Sequence, residues 1–256
     1  MEAGAARSLR QPAGDLMAYT IIPAATTSGG SSNPSTLSTY LARGQTAASL
    51  SATDTFYVWE DIETFASSGL WTWAQTTTGT AGASIALTNP GGGVVRYSTG
   101  ATANSIIDNS GNSGIVAVGA TTKWYFAVRF RLVTTADAQT KALFGIRNTA
   151  NNSSFTCGVL GSGSTTNYIF QHGGDLTGSS IDSGTAINAS FHTLEMYCTG
   201  DSTLRGKVDG GSEVSAAMSS PPTDFLRAFW RVHNGTTAAN QAADVDWMLW
   251  MAARMA

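Results

Sequence analysis

Charged side chains are scarce in this chain of 256 residues: Asp, Glu, Lys and Arg together make up 12% of it, and only three residues are Lys. Globular domains usually have about twice that share. The 14 Lys and Arg and the 17 Asp and Glu are scattered, and no basic stripe is visible. Nucleic acids and anionic membranes are bound through clustered cations, so we expect neither as a partner. Long surface helices, which are rich in charge, are excluded as well.

Long hydrophobic runs are also missing. The longest, Trp247–Met251, has the length of a strand and falls far short of the ~20 residues that span a membrane. The N-terminal segment contains two Arg but no continuous apolar stretch, so it does not resemble a secretory signal peptide. We therefore expect a protein that is made in a reducing cytosol and has no membrane partner.

Few residues carry metal or redox chemistry. The two cysteines, Cys157 and Cys198, each fall inside a predicted strand, where two buried free thiols or one cross-strand disulfide would both fit. The three histidines are isolated and lack zinc-type spacing. The segment Asp108–Gly114 resembles a calcium loop but has no downstream acidic ligand, so we interpret it as a turn. No metal and no cofactor are expected.

What is abundant is small and polar: 28 Gly, and Ser and Thr that make up nearly a quarter of the chain. Residues 1–53 are rich in these residues, and Thr26–Ser35 has the composition of a flexible linker. We predict an extended N-terminal arm over 1–53 that becomes ordered against a partner, followed by one domain over 54–256.

From Asp54 onward, short apolar runs alternate with turn residues. In Lys123–Val133 the apolar and polar positions alternate with period two, which predicts a strand with one buried face. About a dozen such strands with little helical periodicity predict an all-β sandwich or barrel. The other predicted strands are Phe56–Ile62, Val94–Ser98, Ala142–Arg147, Phe155–Leu160, Tyr168–Gln171, His192–Cys198, Leu204–Val208, Leu226–Val232 and Val245–Met251.

Three motifs carry a family resemblance. Phe191–Gly211 predicts a hairpin that starts with Phe-His-Thr and ends in Val-Asp-Gly. This segment resembles the hairpin of concanavalin A-like jelly rolls. The opening strand FYVWEDIETF and the closing strand ADVDWMLWMAA are similar to the first and last strands of the same domains. The resemblance implies a two-sheet antiparallel jelly roll of the lectin and glucanase type from residue 54 to the end.

Glycosidases of this fold carry three acidic residues at alternating positions of one strand. The nearest segment is Glu60–Glu63, whose spacing differs because Asp61 and Glu63 share a face that Glu60 does not. These two carboxylates would suffice to contact a sugar, but a solvated strand end is the simpler interpretation. We therefore expect a protein that is not an enzyme.

Binding residues are expected in loops at the rim of the sandwich and among exposed aromatics. His172 falls in the predicted loop Gln171–Asp182, and His233 precedes a turn at Asn234, whereas His192 is expected to be structural. Trp247 and Trp250 differ in parity, so one is exposed or the strand packs on both faces or contains a bulge. The candidate carbohydrate-binding residues are Trp71, Trp73, His172, Asp175, His233 and Asn234.

A Gly-, Ser- and Thr-rich arm ahead of such a jelly roll, without an export signal, resembles structural proteins of tailed-bacteriophage virions. That resemblance implies a capsid decoration or head-fibre protein that is located in the virion. Its arm would bind the major capsid or tail protein, and it would form a homo-oligomer. The alternative is a carbohydrate-binding module of a tail fibre or baseplate that binds host surface glycans.

Overall fold

The computed structural model describes residues 55–61, 73–78, 84–89, 94–111, 116–118, 122–133, 141–148, 154–160, 166–173, 179–218, 225–236 and 239–253. These residues form sixteen strands, and no helix occurs among them, so none of them forms a membrane-spanning helix. The strands are β1 Thr55–Asp61, β2 Trp73–Thr78, β3 Ser84–Asn89, β4 Val94–Ser98, β5 Ile106–Gly111, β6 Val116–Ala117, β7 Lys123–Leu132, β8 Lys141–Asn148, β9 Ser154–Leu160, β10 Asn167–Gly173, β11 Ser179–Ala186, β12 His192–Thr199, β13 Thr203–Val208, β14 Val214–Ala217, β15 Phe225–His233 and β16 Ala242–Ala253.

The strands form two antiparallel eight-stranded sheets. Sheet A has the order β14-β13-β12-β7-β16-β4-β3, with β1 beside the second half of β16. Sheet B has the order β11-β10-β9-β8-β15-β5-β2, with β6 beside the start of β15. The prediction of an all-β two-sheet sandwich is confirmed, whereas the predicted arm over 1–53 lies outside the described residues.

Large aromatic side chains join the two sheets. Trp124 of sheet A meets Phe155 of sheet B with ring centroids 4.5 Å apart, and Phe130 of sheet A meets Phe144 of sheet B at 4.4 Å. All four side chains are fully buried. Ring contacts of this kind stabilise a core beyond the area that they bury. The alternation of Lys123–Val133 therefore predicted correctly which residues form the sandwich interior.

The motifs that carried the resemblance all lie in sheet A, and two of them pair with each other. Thr55 of β1 lies opposite Ala253 of β16, and the register continues to Asp61 opposite Trp247. The predicted hairpin forms from β12 and β13, with Leu194 opposite Val208. A Cβ atom at Gly206 would lie 2.3 Å from the Phe170 ring of sheet B, so this hairpin requires glycine there.

The end of that hairpin is closed by polar contacts around His192. Its Nδ1 lies 2.5 Å from Asp209 Oδ2, and its Nε2 lies 2.9 Å from Asn188 Oδ1. Asp209 Oδ1 also accepts a hydrogen bond from the Thr193 N–H at 2.8 Å. The His-Thr pair at the start of the motif is thus bound to the Asp of Val-Asp-Gly at its end. This placement agrees with the structural role predicted for His192.

Three predictions about loops and cysteines have clear outcomes. The prediction of a loop over Gln171–Asp182 is wrong at both ends, because His172 lies in β10 and Asp182 lies in β11. The prediction of a turn over Asp108–Gly114 is wrong for the first half of that segment, since Asp108–Gly111 belongs to β5. Cys157 and Cys198 are free thiols in the sandwich core, so the disulfide alternative is wrong.

Candidate functional site

The outer face of sheet B, which points away from the sandwich interior, combines polar side chains with the buried apolar residues Leu143, Ile169 and Phe229. One row of residues in register crosses five strands. The row consists of Ser110, Phe229, Gly145, Thr156 and Gln171. Its three polar side chains are buried, although a buried outer face more commonly carries apolar residues. Polar groups are costly to bury without partners, so this row is part of an organised hydrogen-bonding surface.

An ion-pair cluster lies beside this row. Arg147 donates to both carboxylate oxygens of Asp108, at 2.5 and 3.0 Å, and Arg231 donates its Nε to Asp108 at 2.7 Å. The guanidinium of Arg147 lies over the Phe229 ring, 4.3 Å from its centroid. Arg147 therefore crosses strand β15 above Phe229 to reach Asp108 on β5. Bidentate pairing and ring contact together hold the guanidinium in one orientation.

Phe225 extends this face toward solvent. It is 63% exposed, and no other large hydrophobic side chain of the described residues is exposed. Phe225 alternates along β15 with the buried core residues Leu226 and Ala228, so its side chain lies on the outer face together with Arg227 and Phe229. Arg227 lies directly opposite Arg147 of β8. The face thus combines an exposed ring at the start of β15 with Arg227 two positions further along the strand.

His172 does not belong to this face. It lies in β10 with its side chain on the interior side, 4% exposed, opposite Phe155. Burial lowers the pKa of His172, and a hydrogen bond to the backbone of Ala217 in β14 opposes that shift. The side chain joins β10 of sheet B to β14 of sheet A at the edge of the sandwich. In this position it acts as a structural link.

His233 and Asn234 lie at the other end of sheet B. His172 is level with Ala228 near the start of β15, whereas His233 ends that strand. Asn234 is fully buried: its Nδ2 donates to three backbone carbonyls, among them Thr102 at 2.7 Å, and its Oδ1 accepts from Ser105 N–H at 2.9 Å. Every polar atom of this amide is used within the chain, so Asn234 stabilises its turn.

The remaining candidate residues add no common site. Trp71 and Asp175 lie outside the described residues. Trp73 begins β2, where its backbone pairs with Gly111, and β2 is five strand spacings from β10 in sheet B, or roughly 24 Å. The structure therefore does not gather Trp73, His172 and His233 into one place. Phe225 and Arg227 were missed because neither belongs to a motif or a predicted loop.

The outer face of sheet A has a different character. It carries an apolar cluster that is buried although it lies outside the sandwich interior. Trp247 belongs to this cluster, whereas Trp250 points into the interior, and a bulge at Asp246 shifts the register between them. Of the alternatives for the two tryptophans, packing on both faces with a bulge is confirmed and exposure of one ring is wrong. The cluster consists of Tyr125, Ala127, Tyr197, Trp247, Leu249 and Met251.

Acidic residues whose side chains are described on the strands are engaged by polar partners. Arginines bind Asp108, Asp244 and Asp246, and the Tyr125 hydroxyl donates to the buried Glu195 of β12 at 2.9 Å. On the outer face of sheet B the carboxylates are Asp108 and Asp182, and Asp182 accepts from Asn167 at 2.9 Å and from the Gly184 N–H at 2.7 Å. They lie on β5 and β11, five strand spacings or roughly 24 Å apart. No group of three or more His, Cys, Asp and Glu that could hold a metal ion occurs in the described part of the chain.

Comparison with known proteins identifies the fold but no family. No protein-family model and no curated protein matches the chain. Solved structures do match. A protein of unknown function from Shewanella oneidensis MR-1 is 15% identical with a TM-score of 0.54, and the alignment covers 89% of this chain and 97% of that one.

Two further similar structures belong to proteins whose functions are named. A β-1,3-1,4-glucanase (lichenase) derived from a mouse hindgut metagenome is 14% identical with a TM-score of 0.55, covering 76% of this chain and 98% of that one. The carbohydrate recognition domain of Emp47p is 12% identical with a TM-score of 0.51, covering 78% and 97%. At such identities the similarity concerns architecture alone. The fold of this chain is the concanavalin A-like jelly-roll sandwich that glucanases and lectin-type domains share.

Proposed function

We propose that this chain is a non-catalytic glycan-binding protein whose binding surface is the outer face of sheet B around Phe225. The observation that carries the proposal is the 63% exposure of this ring on the outer face of sheet B, where the large apolar side chains Leu143, Ile169 and Phe229 are buried. Sugar rings bind by stacking on exposed aromatics while their hydroxyls find hydrogen-bonding groups nearby. Similar folds occur in a carbohydrate recognition domain and in glucanases, which supports the choice of ligand class.

The acid geometry supports binding without hydrolysis. Glycoside hydrolysis requires two carboxyl groups about 5–9.5 Å apart on either side of the bond. On the described outer face of sheet B, Asp108 and Asp182 are separated by several strands, and Asp108 is held between Arg147 and Arg231. Both carboxylate oxygens of Asp108 accept hydrogen bonds from these arginines, so neither is free to reach a glycosidic oxygen. Asp61 ends β1 in sheet A, and Glu63 lies outside the described residues.

Affinity electrophoresis against a panel of soluble polysaccharides tests this proposal. Phe225→Ala is expected to abolish retention by the bound polymer, Phe225→Leu to weaken it, and Phe225→Tyr to preserve it, because stacking requires a ring. Phe191→Leu is the matched control, since it removes a partly exposed ring from the opposite sheet. Because Phe225 is exposed, its replacement should change the free energy of unfolding by less than about 0.5 kcal/mol. Retention that is unchanged in Phe225→Ala, or absent with every polymer, would contradict the proposal.

A second proposal concerns where the domain works. We infer from the Gly-, Ser- and Thr-rich composition of residues 1–53 that the chain is a structural component of a bacteriophage particle, in capsid decoration, a head fibre or a tail fibre. The arm would bind the capsid or tail protein, and the jelly roll would project outward as a homo-oligomer. Co-sedimentation with purified particles tests this, with the chain lacking residues 1–53 as the control. Equal co-sedimentation of both chains, or none of either, would contradict it.

A further inference from the structure

One dipeptide of the chain is chemically labile. Asn234 is followed by Gly235, and no other asparagine of the sequence precedes a glycine. An asparagine side chain cyclises most readily before glycine, because glycine has no side chain to hinder the approach of its backbone nitrogen. Asparagine is also among the thermolabile residues that are depleted in hyperthermophilic proteins. The surroundings of Asn234 in the fold therefore decide how long its amide survives.

Two connections between the sheets meet at this dipeptide. Residues 99–105 lead from β4 of sheet A to β5 of sheet B, and the chain returns from β15 of sheet B to β16 of sheet A just after Asn234. The Asn234 N–H donates to the Ser105 carbonyl at 3.2 Å, and the Ser105 N–H donates to Asn234 Oδ1 at 2.9 Å. The Asn104 N–H donates to the Gly235 carbonyl at 2.6 Å. The dipeptide thus joins two connections that are far apart in the sequence.

The fold uses the Asn234 side chain as a hydrogen-bond donor. The residue is fully buried, and its Nδ2 lies 2.7 Å from the carbonyl oxygen of Thr102, 3.2 Å from that of Ala239 and 3.4 Å from that of Gly100. Carbonyl oxygens only accept, so an amino group must face them. A carboxylate in its place would bring a buried negative charge against three acceptors, which costs far more than the loss of one hydrogen bond.

We propose that Asn234–Gly235 is a deamidation site that the folded chain protects, and that deamidation there prevents the chain from regaining the sandwich. In the reaction the backbone nitrogen of Gly235 bonds to Cγ of Asn234, the Cγ–Nδ2 bond breaks, and ammonia leaves with the proton of the Gly235 N–H. Water then opens the succinimide ring at either carbonyl and gives aspartate or isoaspartate. Ring closure removes Nδ2 from its three acceptors, so the fold opposes it, whereas the unfolded chain does not.

Either product is incompatible with the native contacts. Aspartate carries a carboxylate where the three carbonyl oxygens require an amino group. Isoaspartate adds one carbon to the backbone between the two contacts that Asn234 and Gly235 make with residues 104 and 105. Prolonged unfolding therefore becomes irreversible through this one position. The inference does not depend on glycan binding at Phe225.

The first experiment compares deamidation of the folded and the unfolded full chain. Both samples are kept at the same mildly alkaline pH with a reductant, one of them in guanidinium chloride, and isoaspartate is located by peptide mapping. We expect modification at residue 234 to be at least about tenfold slower in the folded chain, because buried polar groups are costly to leave unsatisfied. Gly235→Leu, measured in guanidinium chloride where folding is not required, should slow the reaction. Equal rates in either comparison would overturn the protected site.

The second experiment asks whether the product fits the fold. Asn234→Asp is compared with the matched control Asn240→Asp by unfolding in guanidinium chloride. Asn240 is exposed, and its Oδ1 accepts from Ser98 Oγ at 2.7 Å and from the Gly100 N–H at 3.1 Å, so a carboxylate there keeps both contacts.

Asn234→Asp is expected to lower the guanidinium midpoint by at least about 0.5 M, and Asn240→Asp to leave it nearly unchanged. The midpoint of Asn234→Asp relative to the unsubstituted chain should partly recover at acidic pH, because a protonated carboxyl is again a donor. Failure of Asn234→Asp to fold under conditions in which Asn240→Asp folds would support the proposal as well. Equal behaviour of the two variants would overturn the claim that deamidation prevents refolding.

Discussion

Each sheet carries on its outer face a carboxylate held by two arginines, but the two clusters are built differently. In sheet A, Asp244 lies directly opposite Arg96 of β4 and Arg131 of β7, which donate to it at 2.7 and 2.9 Å. In sheet B, Asp108 lies opposite Arg231, whereas Arg147 reaches it diagonally above Phe229. The register alone assembles the first cluster, and a ring supports the second.

The difference lies in which partner is buried. Asp244 is fully buried while its two arginines remain about one-third exposed, whereas in sheet B the side chain of Arg147 is 3% exposed. Water can therefore solvate the arginines of sheet A if their carboxylate is lost, but it cannot solvate Arg147 in the same way. An unpaired buried charge is far costlier than an exposed one. The sheet A cluster ties strands together, and the sheet B cluster holds the buried guanidinium of Arg147 above Phe229.

Replacement of Asp108 should have the largest effect. Asp108→Asn removes the charge that compensates buried Arg147, so we expect the free energy of unfolding to fall by about 4 kcal/mol. Urea denaturation at neutral pH measures this. Asp182→Asn is the matched control on the same face, and its exposed position predicts a loss below about 1 kcal/mol. Similar losses in the free energy of unfolding for both variants would contradict the claim that the burial of Arg147 makes the loss of Asp108 costly.

Replacement of Asp244 should cost about half as much. Asp244→Asn leaves Arg96 and Arg131 without their carboxylate, but both are partly exposed and regain water, so a loss of about 2 kcal/mol is expected. The same urea experiment gives the value. A loss equal to or greater than that of Asp108→Asn would reverse the comparison between the two faces.

The rings beneath the arginines offer a third comparison. Phe229 is fully buried under Arg147, whereas Phe191 is partly exposed beneath Arg129 and Arg131, whose guanidinium carbons lie 4.8 and 4.7 Å from its centroid. Phe229→Leu should lower the free energy of unfolding by about 1.5 kcal/mol, and Phe191→Leu by about 0.5 kcal/mol. Thermal unfolding of both variants checks the order, and a larger loss for Phe191→Leu would be contrary to expectation.

The smallest effect should be on the pH dependence of stability, through His172 on the interior side of sheet B. Burial lowers the folded-state pKa of His172 below the ordinary histidine value of about 6.5, so the unfolded chain binds more protons there. Stability from this residue is present above about pH 6.5 and is lost as the pH falls through the lowered folded-state pKa. His172→Gln should reduce the difference in melting temperature between about pH 7.5 and about pH 5. An unchanged difference would show that His172 does not contribute.

Most central strands were predictable, whereas the four strands at the ends of the sheets and the inner strand β5 were not. Strands β7, β8, β12 and β16 lie in the middle of the sheets and have large apolar side chains facing the interior, which produce the alternation seen in the sequence. The strands that end the sheets are β2, β3, β11 and β14. All four were missed, because an edge strand buries little and tolerates small polar residues such as those of Ser179–Ala186.

The candidate site was less predictable than the fold. His172 and Asn234 were selected because their residue types suit loops and binding, but β10 draws the first into the sandwich edge and a network of backbone contacts encloses the second. Phe225 carries no local signal, since a phenylalanine at the start of a strand is usually buried. Its exposure follows from its outward register together with its position at the first residue of β15, since Phe229 on the same face is fully buried.

Composition and period-two alternation by themselves determined an all-β fold, a sandwich or a barrel, because burying one face of each strand imposes that alternation wherever the burial is large. The choice of a two-sheet antiparallel sandwich came from the family resemblance. The pairing of β1 with β16, the opposition of Arg227 and Arg147, and the clusters around Asp108 and Asp244 were decided only by tertiary structure. These contacts join residues that are distant along the chain. Their distances depend on strand order and register, which no local pattern of side chains contains.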